Sequence, residues 1–250
     1  MPQPRSSLRA RLGALVLALA AVSAPLAATS SARAADPAPD RLAGAPKVGS
    51  CHDATKQQAN RVSPKDPSFA CSTRAHTLWV EGVVPIPDDV SLDPDSRALQ
   101  EYVAPRCDRA HQDALGKSRT LLARTVYRRW IFLPTPAQRR EGARWVSCEL
   151  SLTADGGLLR NRLTAPPRLK GLPDSIAACV GTKYYQPCSR PHRYRAVYAQ
   201  TVYEKPTKRA IERAIAQVCP RHVRSERYFG AVFFGRATSF EVTCFDATRR

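Results

Sequence analysis

The chain predicts an α+β protein of two repeated disulfide-stapled modules, each a small antiparallel sheet with one main helix. Three observations carry this. Four stretches recur in the same order in the two halves of the chain. Each of the four cysteines in one half has a partner position in the other. Each half also shows the same run of signals, a strand, then a helix, then a pair of closing strands.

The repeats can be laid side by side. GAPKVGSCHDATK (44–56) resembles GLPDSIAACVGTK (171–183), and ACSTRAHTLWVEGVV (70–84) resembles PCSRPHRYRAVYAQT (187–201). VAPRCDRAH (103–111) matches AQVCPRH (216–222), and EGARWVSCEL (141–150) matches GRATSFEVTCFD (235–246). Matched cysteines in one order point to duplication.

In the first half, residues 77–84 mix aromatic and β-branched residues and read as a strand. A helix is expected over about 96–115, capped by Asp95 or Ser96, with Pro105 inside it set to kink or split it. Strands over 125–133 and 144–152 close the half. The corresponding strand of the second half is 196–203. Thr207 then caps a helix in which Ala210, Ile211, Ala214, Ile215, Val218 and Cys219 recur at helical spacing, so Cys219 falls on the buried stripe. Closing strands are expected over 227–234 and 239–245. Residues 154–173 join the halves, with a further short strand around 158–163.

The N-terminus bears on compartment. Arg5, Arg9 and Arg11 precede an apolar run over 12–22, the length of a signal-peptide core and too short to span a bilayer. Ala32-Arg33-Ala34 offers an Ala-x-Ala cleavage site, which places a signal peptide over 1–34 and the mature start at Ala35. A Pro/Ala-rich leader, expected to be disordered, runs over 35–47, followed by modules over 48–170 and 171–250. With no second apolar stretch of spanning length, the mature chain is expected to be secreted, or to lie on the outer side of the cell envelope. In that setting Cys51, Cys71, Cys107, Cys148, Cys179, Cys188, Cys219 and Cys244 read as disulfide partners, with 105 pairings open.

The formal charge is +18; losing the four arginines of the signal segment, with no acid lost, leaves +14. Such a chain suits polyanions. Outside a cell these are anionic wall polymers or lipids, and nucleic acid is not expected. Clusters at Arg128-Arg129, Arg139-Arg140-Arg144, Arg193-Arg195 and Arg221-Arg224-Arg227 lie among Tyr127, Trp130, Tyr194 and Tyr228. Arginine forks beside aromatic rings suit phosphate, carboxylate or sugar. His76, His192, Arg193, Arg195, Arg128 and Arg129 are therefore the candidate ligand-binding residues.

Catalytic and metal readings find less support. The Cys/His pairs Cys71/His76, Cys107/His111, Cys188/His192 and Cys219/His222 lack Cys-x2-Cys or His-x3-5-His spacing. No Gly-x-Ser-x-Gly elbow or His-Glu-x-x-His occurs. The acidic stretch PDDVSLDPDS (87–96) lacks the central glycine and final glutamate of a calcium loop. No metal, cofactor or catalytic residue is expected. The competing reading is an exported enzyme or redox protein using one unpaired Cys/His couple.

The cysteine that opens each module, the Cys-Ser-x-x-(x)-His before a strand, the helix cysteine and the last cysteine in a closing strand resemble, in tandem, the septum formation family of actinobacterial secreted or envelope proteins. The residues carrying this are Gly49-Ser50-Cys51, Cys71 to His76, Cys107 and Gly142 to Cys148, and again Cys179, Cys188 to His192, Cys219 and Cys244. Ala75 departs from the family's proline before the histidine, which Pro191 keeps, and the acidic residue after that histidine is missing in both halves. The resemblance implies a compartment and a process, septum or wall formation, rather than a reaction. The expectation is a non-catalytic binding or structural protein, its partner an anionic wall polymer or another envelope protein. The repeat motivates pairing within each half: Cys51–Cys71, Cys107–Cys148, Cys179–Cys188 and Cys219–Cys244.

Overall fold

A computed structural model describes residues 40–63, 66–116, 118–235 and 238–248. The signal segment and its cleavage site lie outside the described residues. In chain order the first half contains β1 (Ser50–His52), α1 (Lys56–Ala59), β2 (Phe69–Ala70), β3 (Leu78–Pro85), α2 (Arg97–Leu115), α3 (Arg119–Ala123), β4 (Tyr127–Phe132), α4 (Pro136–Arg140), β5 (Trp145–Ala154) and β6 (Gly157–Leu158). The second contains β7 (Ala178–Val180), β8 (Tyr185–Pro187), β9 (Tyr194–Val202), α5 (Lys208–Val218), a 3₁₀ turn at Cys219–Arg221, β10 (Tyr228–Gly235) and β11 (Phe240–Ala247).

The two sheets share one connectivity. The first runs β2-β1-β3-β5-β4 with β6 added to β5, and the second runs β8-β7-β9-β11-β10, antiparallel throughout. Matching holds to the residue. Cys51 pairs with Trp79 across β1 and β3, and Cys179 with Arg195 across β7 and β9. Cys148 faces Gly82 and Ile131, and Cys244 faces Tyr198 and Gly230. Even the β-bulge is repeated: Glu81 between Val80 and Gly82, and Val197 between Ala196 and Tyr198, oppose no residue of the neighbouring strand.

Four disulfides staple these frames as expected, Cys51–Cys71, Cys107–Cys148, Cys179–Cys188 and Cys219–Cys244, and no described cysteine is free. In each half the first bridge ties the edge strands and the second ties the helix to the closing strand. The bridges close sequence separations of 20, 41, 9 and 25 residues. In the chain-entropy account each then destabilises the unfolded chain by about 2.5 to 4 kcal/mol.

Both main helices start as their sequences ask. The Ser96 hydroxyl accepts from Leu99 N, and the Thr207 hydroxyl from Ala210 N. Of the two outcomes expected at Pro105, a kink or a split, the split does not occur: one helix runs through it. The helix continues to Gly116, whose φ of 98° ends it. The buried Val103 and Cys107 hold the turns on either side of the exposed Pro105, and the Cys107 bridge outweighs one missing N–H.

Short elements are what the period counts missed. Thr55 with Gln58 and Thr135 with Gln138 form capping boxes over α1 and α4. Of the strand expected over 158–163, only Leu158 belongs to β6; Asn161 makes an isolated bridge to His76. Residues 40–47, assigned to a disordered leader, are docked. Trp145 Nε1 donates to Ala43 O at 3.0 Å, Arg144 N to Arg41 O at 2.8 Å, and Gln138 Nε2 to Gly44 O at 3.0 Å. The indole and the α4 amide supply donors that composition alone does not reveal.

The two sheets close on a shared core of Trp79, Tyr127, Leu150 and Leu152 from the first half with Ala196, Ala199 and Phe245 from the second. Helix α3, which has no counterpart in the second half, packs on β9 and β11. There Thr243 Oγ1 donates to Ala123 O at 3.0 Å, and Arg119 pairs with the buried Glu241. The start of the second half adds Val126 N to Ile176 O at 2.9 Å and Ala178 N to Arg124 O at 2.8 Å. No helix among the described residues is long and apolar enough to cross a membrane.

Candidate functional site

The structure scatters the six candidate residues. His76 is fully buried, edge-on to Trp79 with ring centroids 5.5 Å apart, and its Nδ1 lies 3.2 Å from Arg74 O. His192 repeats the local arrangement, with Nδ1 2.8 Å from Arg190 O. Each histidine stands beside the first disulfide of its module, with its ligand atom within 4.8 Å of both sulfurs. Those sulfurs are bonded to each other, so neither is a thiolate. The same holds at all eight cysteines, which leaves the unpaired Cys/His couple without its nucleophile. Both histidines instead orient the turn that leads into the long strand.

Arg195 pairs with Asp174 at 2.7 Å, and Arg193 is exposed beside it, its backbone N donating to Val180 O. Arg129 is tied to Asp108 of α2. In the acidic 87–96 loop, Asp88 pairs with Arg41 and Arg144, and Arg144 Nη2 donates to Pro87 O at 2.6 Å and Val90 O at 2.5 Å. Guanidinium groups thus occupy acceptors that a cation would need.

Of the six, Arg128 and Arg129 line an open groove whose chemistry is concentrated, the Arg129 side chain being tied to Asp108. This cavity of about 310 Å3 runs along the seam between the modules. Lys56 comes from α1, Arg128 and Trp130 from β4, the β5–β6 turn from the first sheet, and Tyr184 and Tyr185 from the start of β8. Arg128 and Trp130 alternate with Arg129 along β4, so they face the side of the sheet away from α2.

Local geometry builds the groove. Asp155 and Gly156 both take left-handed φ, 53° and 75°, which makes the tight β5–β6 hairpin. A Cβ on Gly156 would stand 3.1 Å from the Tyr184 ring, so glycine lets the ring lie on the turn. Arg190, from the Cys-Ser-Arg-Pro-His stretch of the second half, pairs with Asp155 and pins the hairpin to that half. Trp130 Nε1 donates to Ser151 Oγ at 2.8 Å, and Tyr185 packs on Phe245 with centroids 5.6 Å apart. Both rings are therefore fixed from behind.

Cations sit over the two tyrosine rings. Lys183 Nζ lies 5.3 Å from the Tyr184 centroid and the Arg128 guanidinium 5.7 Å from that of Tyr185. Burial lowers the Arg128 pKa from its usual value, and Tyr185 opposes that shift. Burial also raises the Tyr185 hydroxyl. No carboxylate lines the groove among the described residues. Fixed aromatic faces with cations and no competing acid suit an anionic or sugar-bearing ligand. The sequence singled out Arg128 and noted Trp130, but it missed Lys56, Tyr184 and Tyr185, which are far away in the chain. The Lys183-Tyr184-Tyr185 run was the signal available.

In comparison with known proteins, no family model, no curated protein and no solved structure matches the chain.

Proposed function

We propose that the protein is an exported, non-catalytic binding module of the cell envelope. It holds an anionic wall polymer in the groove between its two septum-formation-like halves and serves septum or wall formation. The carrying observation is the groove itself, where Lys56 and Arg128 stand among Trp130, Tyr184 and Tyr185 with no carboxylate in the lining. Aromatic faces stack on sugar rings, and cations answer the phosphate or carboxylate groups of such polymers. The charge of +14 left after the four arginines of the signal segment are removed from +18 supplies long-range attraction for polyanions. Disulfide closure of both frames is what a small domain needs outside a cell. The tandem resemblance in the cysteine and histidine positions agrees with this compartment.

The test is co-sedimentation of the exported protein with purified wall carrying its anionic polymer, at salt from 20 to 500 mM, about a fivefold range of screening length. Binding should fall steeply with salt, weaken about tenfold or more in Arg128→Ala and Tyr184→Ala, and be lost on wall stripped of anionic polymer. Equal retention on stripped wall, or by both variants, would overturn the reading.

A further inference from the structure

The duplication supplies an internal control for a second cavity, in the first module only. In each module the helix crosses a sheet beside the same two stations on the inner face, the residues flanking the closing-strand cysteine. In the first module these are Gly82 on β3 and Ile131 on β4; in the second they are Tyr198 on β9 and Gly230 on β10. The glycine has changed strands. A Cβ on Gly82 would stand 2.8 Å from Ala110 Cβ, and one on Gly230 2.5 Å from Ile215 Cγ1. Each helix leans on the strand that carries the glycine: α2 packs mainly on β3 and β5, α5 on β10 and β11.

The lean has a consequence for β4. In the second module Ile215 fills the space over β10. In the first, the helix has moved away from β4 and leaves a slot of about 220 Å3 between Leu99, Val103 and Ala104 of α2 and Ile131 of β4. Ile131 is 42% exposed at its mouth. At the inner end lies His111, 1% exposed, with neither ring nitrogen hydrogen-bonded. Its neighbours Asp108 and Arg129 neutralise each other as an ion pair. The helix-end histidine of the second module, His222, is by contrast stacked on Tyr198 with ring centroids 3.4 Å apart.

A buried polar group without a partner is costly, and an apolar slot with a polar end suits a ligand of matching shape. We propose that the slot between α2 and β4 binds a small uncharged amphiphile, with its hydroxyl or carbonyl head on His111 and its hydrocarbon against Leu99, Val103, Ala104 and Ile131. The head is uncharged because the one cation of the slot already holds its carboxylate. A neutral imidazole offers one donor and one acceptor, which a hydroxyl can answer. Burial, then Arg129, pushes the His111 pKa down to about 3, so the ring is neutral at ordinary pH. This site is separate from the seam groove and stands whether or not that groove binds polymer.

The experiment is a titration of the exported, 15N-histidine-labelled protein with 1-hexanol and, in parallel, with hexanoate, read on the imidazole signals. His111 is assigned by its loss in His111→Leu. Hexanol should move the His111 signals saturably and leave the other four histidines in place. Ala104→Phe, at the exposed rim, should weaken hexanol at least tenfold. His111→Leu, followed on the Val103 methyl signals, should weaken it about fivefold, the loss of one hydrogen bond. Movement that never saturates, or that is unchanged in Ala104→Phe, would overturn the site. Tighter binding of hexanoate than of hexanol would overturn the uncharged head.

Discussion

Glu81 and Val197 are the same residue of the same bulge in two copies of one sheet, yet one is an ionisable acid and the other apolar. Burial, with Glu149 second, pushes the Glu81 carboxyl from 4.5 up to about 7. Between those values the folded chain keeps a proton that the unfolded chain releases. The stability this gives is complete below about pH 4.5 and is lost as pH rises through 7. Replacing Glu81 by Gln should therefore change little at pH 4.5 and stabilise at pH 8, by up to about 3 kcal/mol. Urea unfolding of both proteins across that range checks it, and parallel curves would refute the buried acid.

His111 works in the opposite sense. Its folded pKa, pushed down to about 3, lies below the ordinary 6.5. The unfolded chain binds a proton there first, so the stability of the neutral ring is complete above pH 6.5 and is lost as pH falls toward 3. His111→Leu should flatten the acid limb of the stability curve below pH 6 while leaving the limb above pH 7 unchanged. Thermal midpoints from pH 3.5 to 8 give the readout.

Glu149 is a second acid in the interior, and a structural one. Fully buried on β5, it accepts from Ser147 Oγ at 2.9 Å and lies 3.0 Å from His52 Nδ1. Truncation to Ala strands both partners in the interior and should cost about 3 kcal/mol or more. Ser147→Ala, which removes one of the acid's partners, should cost about 1 kcal/mol. Chemical denaturation separates the two.

How much of this was legible follows from period and spacing. Matched cysteines in one order pointed to the two modules, and the repeat, not any single spacing, motivated pairing within each half. The helical stripe from Ala210 to Cys219 and the long strands β3 and β9 emerged because burial imposes a period on ten residues. Three-residue strands such as β1 and β7 have no period to show, and α3 is one turn long. The groove was half visible: Arg128 and Trp130 share a strand, but Tyr184 joins them only because Gly156 makes room and Arg190 reaches Asp155. The slot over His111 was invisible, since it depends on which of two strands carries a glycine.

That glycine exchange makes a quantitative prediction in the second module. Gly230→Ala drives a methyl to within 2.5 Å of Ile215, so α5 must shift or repack. The expected cost is about 1–3 kcal/mol, the usual range for overpacking. Ile215→Ala alone, at this partly buried position, should cost about 1–3 kcal/mol. Combined, the two relieve each other: the methyl on residue 230 takes up part of the space that Ile215 vacates. The double variant should therefore be more stable than the sum of the single losses allows, by about 1 kcal/mol or more, as for any pair in direct contact. A double-mutant cycle by urea denaturation measures the coupling. Strict additivity would mean that Ile215 does not rest on Gly230, and that the lean of α5 has another cause.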